Sequence, residues 1–158
     1  MGFEARLKEL GIILPEAPRP VAAYLPYVVV DGLVFTAGQL PVADGKVRYT
    51  GRVGAELTVE EGREAARLCA LNCLAVVRAA AGSLDNVVKL VKLTGFVASA
   101  PDFHGQPQVL NGASEFLEAV FGTAGRHART AVGVAALPLG AAVELEMVVK
   151  VGLSGLTV

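Results

Sequence analysis

One helix, marked at both ends, sets the frame for the rest of the chain. Thr58-Val59-Glu60-Glu61 is a capping box, in which the Thr58 hydroxyl and the Glu61 carboxylate satisfy the first free amides reciprocally. The pattern it opens runs to Ala81 and stops at Gly82, a residue suited to the reversed backbone just past a helix end. At 1.5 Å per residue the helix is about 36 Å long. Its charges, Glu60, Glu61, Arg63, Glu64 and Arg67, crowd the first turns, while Leu68, Leu71, Ala75 and Val76 form an apolar stripe. Such a stripe needs a second layer to cover it, and the flanking segments read as strands. Asn72, within the apolar part, reads as a hydrogen-bonded core amide and not as a ligand contact.

Phe3 to Leu10 reads as a short helix, followed by Pro15, Pro18, Pro20 and Pro26 in a stiff, extended lead-in. Tyr27–Val30 and Leu33–Thr36 are β-rich runs joined by Asp31-Gly32, a hairpin signal. Asp44-Gly45 predicts a second turn before a strand over Lys46–Val53. Ser83-Leu84-Asp85 is another capping signal, ahead of an interior strand over Val87–Ala98. A second helix over Pro107–Val120 ends at Gly122, and strands over Thr130–Leu137 and Ala142–Val151 flank Pro138-Leu139-Gly140. This order predicts an α+β fold, a mixed sheet with two helices packed on one face. In the last strand Val143, Leu145, Met147 and Val149 share one face, and Glu144, Glu146, Val148 and Lys150 the other. That second face, part apolar and part acidic, is expected to meet another subunit.

With 158 residues the chain reads as one domain, 1–158, in which residues 1–21 form an N-terminal extension. Apolar residues at 53% and charged residues at 18% exclude disorder and leave more apolar surface than one core hides, which points to an oligomer. A net charge of −1 argues against a nucleic-acid binder. The most apolar stretch, Leu68–Gly82, is interrupted by Asn72 and Arg78 and is too short for a membrane span. The start has no continuous apolar leader, and Arg6 breaks the myristoylation pattern, so a cytoplasmic location is expected. Cys69 and Cys73 read as small buried apolar residues, and without clustered histidines they make no metal site.

Few residues are left to carry chemistry. Neither a phosphate-binding glycine loop nor a Ser/His/Asp set can be assembled, and the two histidines, His104 and His127, read as loop or helix-end residues. His127 between Arg126 and Arg129 hints at an anion site. The remaining constellation is Arg129 and Glu144, on neighbouring segments of what reads as a hairpin-like unit. Arg offers a planar fork suited to a carboxylate, but spacing alone favours a structural Arg129–Glu144 ion pair.

These residues also carry a resemblance. Tyr24 followed by Leu33-Val34-Phe35-Thr36-Ala37-Gly38-Gln39-Leu40-Pro41 resembles the N-terminal signature of the RidA family, also called YjgF or L-PSP. Arg129-Thr130-Ala131-Val132, Ala136-Leu137-Pro138 and Val143-Glu144-Leu145-Glu146 resemble its C-terminal signature. The match runs from Tyr24 to Lys150, and the longer leading segment suggests a divergent subgroup. The resemblance implies a homotrimer of chorismate-mutase-like subunits with ligand clefts between them. It also implies hydrolytic deamination of reactive 2-imino acids to 2-keto acids and ammonia, without cofactor or metal. Arg129 would bind the substrate carboxylate, Glu144 would hold the attacking water, Tyr24 would line the cleft, and backbone at Gly38 and Ala131 would complete it. Many members carry Ser where this chain has Ala37, which removes one hydroxyl contact.

Two other readings compete. An endoribonuclease acting as a translation inhibitor would use Arg126, His127 and Arg129 on phosphates, but three Tyr, six Phe and no Trp offer little for base stacking. A binding module would hold small carboxylates in the same clefts without turnover.

Overall fold

The computed structural model describes residues 2–19 and 23–152. Pro20 and the end of the expected N-terminal extension lie outside the described residues. Helix α1 spans Phe3–Glu9, β1 Tyr27–Val30, β2 Leu33–Thr36, β3 Val42–Ala43 and β4 Lys46–Val47. Helix α2 spans Val59–Ala81, β5 Val87–Ala98, α3 Gln106–Phe121, β6 Ala128–Val134 and β7 Val143–Val151. The main sheet has the order β1-β2-β7-β5-β6. Every pairing in it is antiparallel except β5–β6, which is parallel. Helices α2 and α3 cover one face, as the alternation of apolar segments predicts.

The capping box forms as read. Glu61 N–H donates to the Thr58 hydroxyl at 3.2 Å, and Thr58 N–H donates to the Glu61 carboxylate at 2.8 Å. Asn72 donates to the carbonyls of Leu40 (2.9 Å) and Val42 (3.0 Å), so this core amide pins the chain after β2 onto α2. Cys69 and Cys73 are fully buried, and burial pushes the Cys73 thiol up to about 12. Both lean on carbonyls of β7, Cys69 on Val143 and Cys73 on Leu145. The Asp31-Gly32 hairpin turn forms with both residues at positive φ, the geometry of the tight two-residue turn.

Two strand boundaries differ from the sequence reading. The expected strand over Lys46–Val53 stops at Val47, because Tyr49 (φ 57°) and Gly51 (φ 119°) turn the backbone out of the extended region. The strand expected over Thr130–Leu137 is Ala128–Val134, since its partner β5 ends at Ala98, opposite Val134. The N-terminal segment is also more than a lead-in. Leu7 and Leu14 are buried in the core, and Phe3 meets Phe121 edge-on with ring centroids 4.7 Å apart. Glu4 and Asp85 lock the segment down reciprocally: Leu84 N–H donates to Glu4 and Glu4 N–H donates to Asp85.

Among the described residues no helix lies over the sheet's other face. Val28 (47% exposed), Val30 (52%), Phe35 (43%) and Val132 (37%) stand on it, beside Glu144 and Glu146 of β7. No helix among the described residues is long and apolar enough to cross a membrane.

Candidate functional site

The expected pairing of Arg129 with Glu144 does not form. Their strands are not neighbours, because β5 lies between β6 and β7. Arg129 is opposite Leu93 of β5, whereas Glu144 is opposite Phe96, three positions further along. Leu93 is buried against the helices, so Arg129 leaves the sheet on the helix-covered side. Glu144 alternates with the buried Val143 and Leu145 and leaves on the open side. Two strand spacings, about 10 Å, and an odd offset thus put the two side chains on opposite faces. This register rules out an Arg129–Glu144 ion pair within one chain.

Each of the two candidate groups has a defined surrounding. Glu144 lies against Gly38, just past the end of β2. A Cβ on Gly38 would stand 3.0 Å from the Glu144 carboxyl carbon and collide with Oε1. Gly38 therefore makes room for the carboxylate. The chain around it is held to β7 by two backbone bonds, Gln39 N–H to Leu145 O (2.7 Å) and Leu145 N–H to Gln39 O (3.0 Å). Gly38 also lines a concavity of about 400 Å³ with Tyr24, Gln39, Leu40 and Asn72, walled on one side by Pro15, Glu16 and Pro18. Glu144 is not among the residues lining this concavity. Ala37, where a hydroxyl is absent, donates its N–H to Pro26 O at 2.8 Å and fixes the entry to this turn.

Glu144 is held above the usual carboxylate range, first by partial burial and then by the neighbouring charge of Glu146. Among the described residues no cation pairs with it. A carboxylate so placed is a better proton acceptor near neutrality than an ordinary exposed one.

The other half lies on β6, an edge strand of the sheet. Arg129 Nη1 donates to Asn111 Oδ1 (2.9 Å) and Ser114 Oγ (3.1 Å), and Nη2 donates to Pro107 O (3.3 Å). Ala131 follows two residues on, opposite Gly95. The anion cluster suggested by Arg126, His127 and Arg129 does not assemble as three free groups. Arg126 pairs with Glu118 at 2.8 Å, and His127 is bonded at both ring nitrogens, to Ser114 and Gly125. Asn111 and Ser114, the partners of Arg129, were not singled out from the sequence. Their signal is a pair of polar side chains three apart on α3, set among the buried Val109, Leu110, Ala113 and Leu117. Among the described residues no group of three or more His, Cys, Asp or Glu could hold a metal ion.

The family model described as "YjgF/chorismate_mutase-like, putative endoribonuclease" matches residues 4–150. Protein TCP17 of Trypanosoma cruzi is 50% identical over 147 residues, 92% of each chain. A 2-iminobutanoate/2-iminopropanoate deaminase of Dermatophagoides farinae is 31% identical over 140 residues, 89% of this chain and 94% of that protein. Among solved structures, Atu1372 of Agrobacterium tumefaciens, of unknown function, superposes with a TM-score of 0.89 at 46% identity, covering 95% of this chain and 92% of that one. Escherichia coli TdcF with bound serine superposes at 0.64 and 26% identity, covering 87% and 94%. With the family model matching residues 4–150 and a relative 50% identical over 92% of the chain, the chain belongs to the YjgF/chorismate-mutase-like family, the family of RidA and L-PSP.

Proposed function

We propose that the chain hydrolyses reactive 2-imino acids to 2-keto acids and ammonia in clefts between the subunits of a homotrimer. The observation that carries this reading is the divided site. Arg129 and Glu144 are both built for chemistry, yet one chain holds them on opposite faces of its sheet. A second copy docked on the open apolar face would bring the Glu144 half of one subunit to the Arg129 edge of another. The exposed Val28, Val30, Phe35 and Val132 give such docking its driving force. The relative named as an imine deaminase and the TdcF structure with bound serine support a small substrate bearing a carboxylate.

The chemistry asks little of the protein. Arg129 binds the substrate carboxylate, which aims the electrophilic C2 of the imine at a water held by Glu144. On the protonated imine, the water oxygen bonds to C2 while one water proton passes to Glu144, giving a neutral tetrahedral amino alcohol. Glu144 returns that proton to nitrogen and then takes the hydroxyl proton as the C–N bond breaks, so ammonia leaves and the C2 carbonyl forms. Orientation and one well-placed base suffice, so no cofactor or metal enters the reading. Tyr24, with backbone at Gly38 and Ala131, lines the cleft.

The ribonuclease reading has less support, because Arg126 and His127, the groups it needs, are engaged within the chain. The deciding experiment couples an amino-acid oxidase or a threonine dehydratase to the protein and follows keto-acid release, with semicarbazide trapping free imine. Faster release and less trapped imine are expected, from a species sedimenting as three chains. A monomer at micromolar concentration, or release no faster than without the protein, would refute the proposal.

A further inference from the structure

The hydrogen bonds around Arg129 form a directed chain that ends at a histidine. His127 Nδ1 lies 2.6 Å from Gly125 O, a carbonyl that can only accept, so Nδ1 carries the proton. Nε2 is then the acceptor, and Ser114, 3.0 Å away, donates its hydroxyl proton to it. With its proton committed, Ser114 Oγ turns its lone pairs to Arg129 Nη1 at 3.1 Å. Asn111 Oδ1 accepts the other Nη1 hydrogen at 2.9 Å, and Pro107 O takes one from Nη2. These three bonds use three of the five guanidinium donors. Nε and one Nη2 hydrogen keep no partner among the described residues, and these nitrogens flank one edge of the planar group.

The chain is rigid at its far end. Gly125 is buried, and a Cβ there would stand 2.5 Å from Leu117 O, so the Gly125 backbone sits directly on α3. Both Ser114 and the anchor of His127 thus belong to the α3 layer, while Arg129 belongs to the sheet. The relay couples the two layers at the one strand-borne cation that the proposed reaction requires.

We propose that Ser114 and His127 are positioning residues, which fix the Arg129 guanidinium so that its Nε–Nη2 edge is presented as a two-pronged fork for the substrate carboxylate. The inference rests on the deaminase reading of Arg129 and deepens it. It explains why α3 carries Asn111 and Ser114 one turn apart, both turned to Arg129. It also assigns His127, which the reaction itself does not use. Neither residue touches substrate; each acts through Arg129.

The test measures KM and kcat for imine hydrolysis, and separately the Kd of the product 2-oxobutanoate by calorimetry, for wild type and variants. Ser114→Ala and His127→Leu should each raise KM and Kd by about tenfold, the worth of one lost hydrogen bond, with kcat changed by less than about threefold. Ser114→Thr keeps the hydroxyl, and His127→Gln keeps an acceptor at the Nε2 position, so both should restore KM to near wild type. Should a truncation fail to fold, His127→Gln against His127→Asn decides. The shorter amide can still meet Gly125 but cannot reach Ser114, so only Asn should raise KM. Unmoved KM and Kd in Ser114→Ala and His127→Leu, or equal KM in the Gln and Asn variants, would overturn the positioning role while leaving the deaminase reading intact. Wild-type protein that neither hydrolyses imines nor binds 2-oxobutanoate would overturn the carboxylate fork and, with it, the relay.

Discussion

Gly38→Ala tests the Glu144 half of the site without touching the carboxylate itself. Gly38 is outside the positive-φ region, so alanine fits its backbone without strain. The added Cβ would stand 3.0 Å from Glu144 Cδ and 3.2 Å from Cγ, and nearer still to Oε1. Comfortable carbon–carbon contact begins at about 3.5 Å, so the carboxylate must withdraw by roughly 0.5 to 1 Å. A displacement of that size at a reacting group costs about a hundredfold, so kcat for imine hydrolysis should fall by about 10². Folding should not suffer. Glu144 is a long side chain that is only partly buried, and Gly→Ala at a compatible position adds about 0.4–1 kcal/mol by restricting the unfolded chain. The coupled oxidase assay gives the rate, and thermal unfolding gives Tm. In the double variant with Glu144→Gln the loss should not exceed that of Glu144→Gln alone, because both act on one group. Wild-type turnover in a well-folded Gly38→Ala protein, or fully additive losses, would refute the placement of Glu144 at the reacting water.

Four further outcomes follow from the geometry. Arg129→Lys keeps the charge but loses the planar fork; losing a charge-assisted bond of about 1.5–3 kcal/mol should cut kcat/KM by about ten- to a hundredfold. Glu144→Gln should lower kcat by about 10²–10⁴-fold while keeping 2-oxobutanoate binding, and Glu146→Gln should have far less effect, read from the same assay and from calorimetry. Gly112→Ala would press its Cβ within 2.9 Å of the Arg63 backbone where α3 crosses α2, and should destabilise the fold by about 2–3 kcal/mol in denaturant unfolding. His127 is held below the usual imidazole range, first by burial, with Arg129 of β6 and Lys89 of β5 adding to the effect. The unfolded chain therefore takes up this proton first, so stability is complete above about pH 6.5 and declines as pH falls through the lowered folded value. Denaturant titrations from pH 7.5 to 5 should show that decline, and His127→Gln should flatten it.

Local chemistry is what the amino-acid sequence determined by itself. The Thr58–Glu61 box, the Asp31-Gly32 turn, the apolar run of β5 and the alternation of β7 are signals read within a few residues of one another, and each forms as expected. The fully buried thiols and the pinned amide of Asn72 follow from the same stripe on α2. Of the candidate residues, Arg129 and Glu144 stand out by residue type and position, whereas Tyr24, Gly38 and Ala131 enter only through the family signatures. Spacing misled in the one place where topology mattered. Arg129 and Glu144 are 15 positions apart and read as neighbours, but β5 inserts between their strands through a pairing that nothing local encodes. A side-chain period of two then turns the odd offset into opposite faces. Only the tertiary structure could decide that one chain holds Arg129 and Glu144 on opposite faces, that Asn111 and Ser114 converge on Arg129 with His127 behind Ser114, and that among the described residues no helix covers the acidic face of β7. Each depends on contacts between segments that meet only when the sheet closes over α2 and α3.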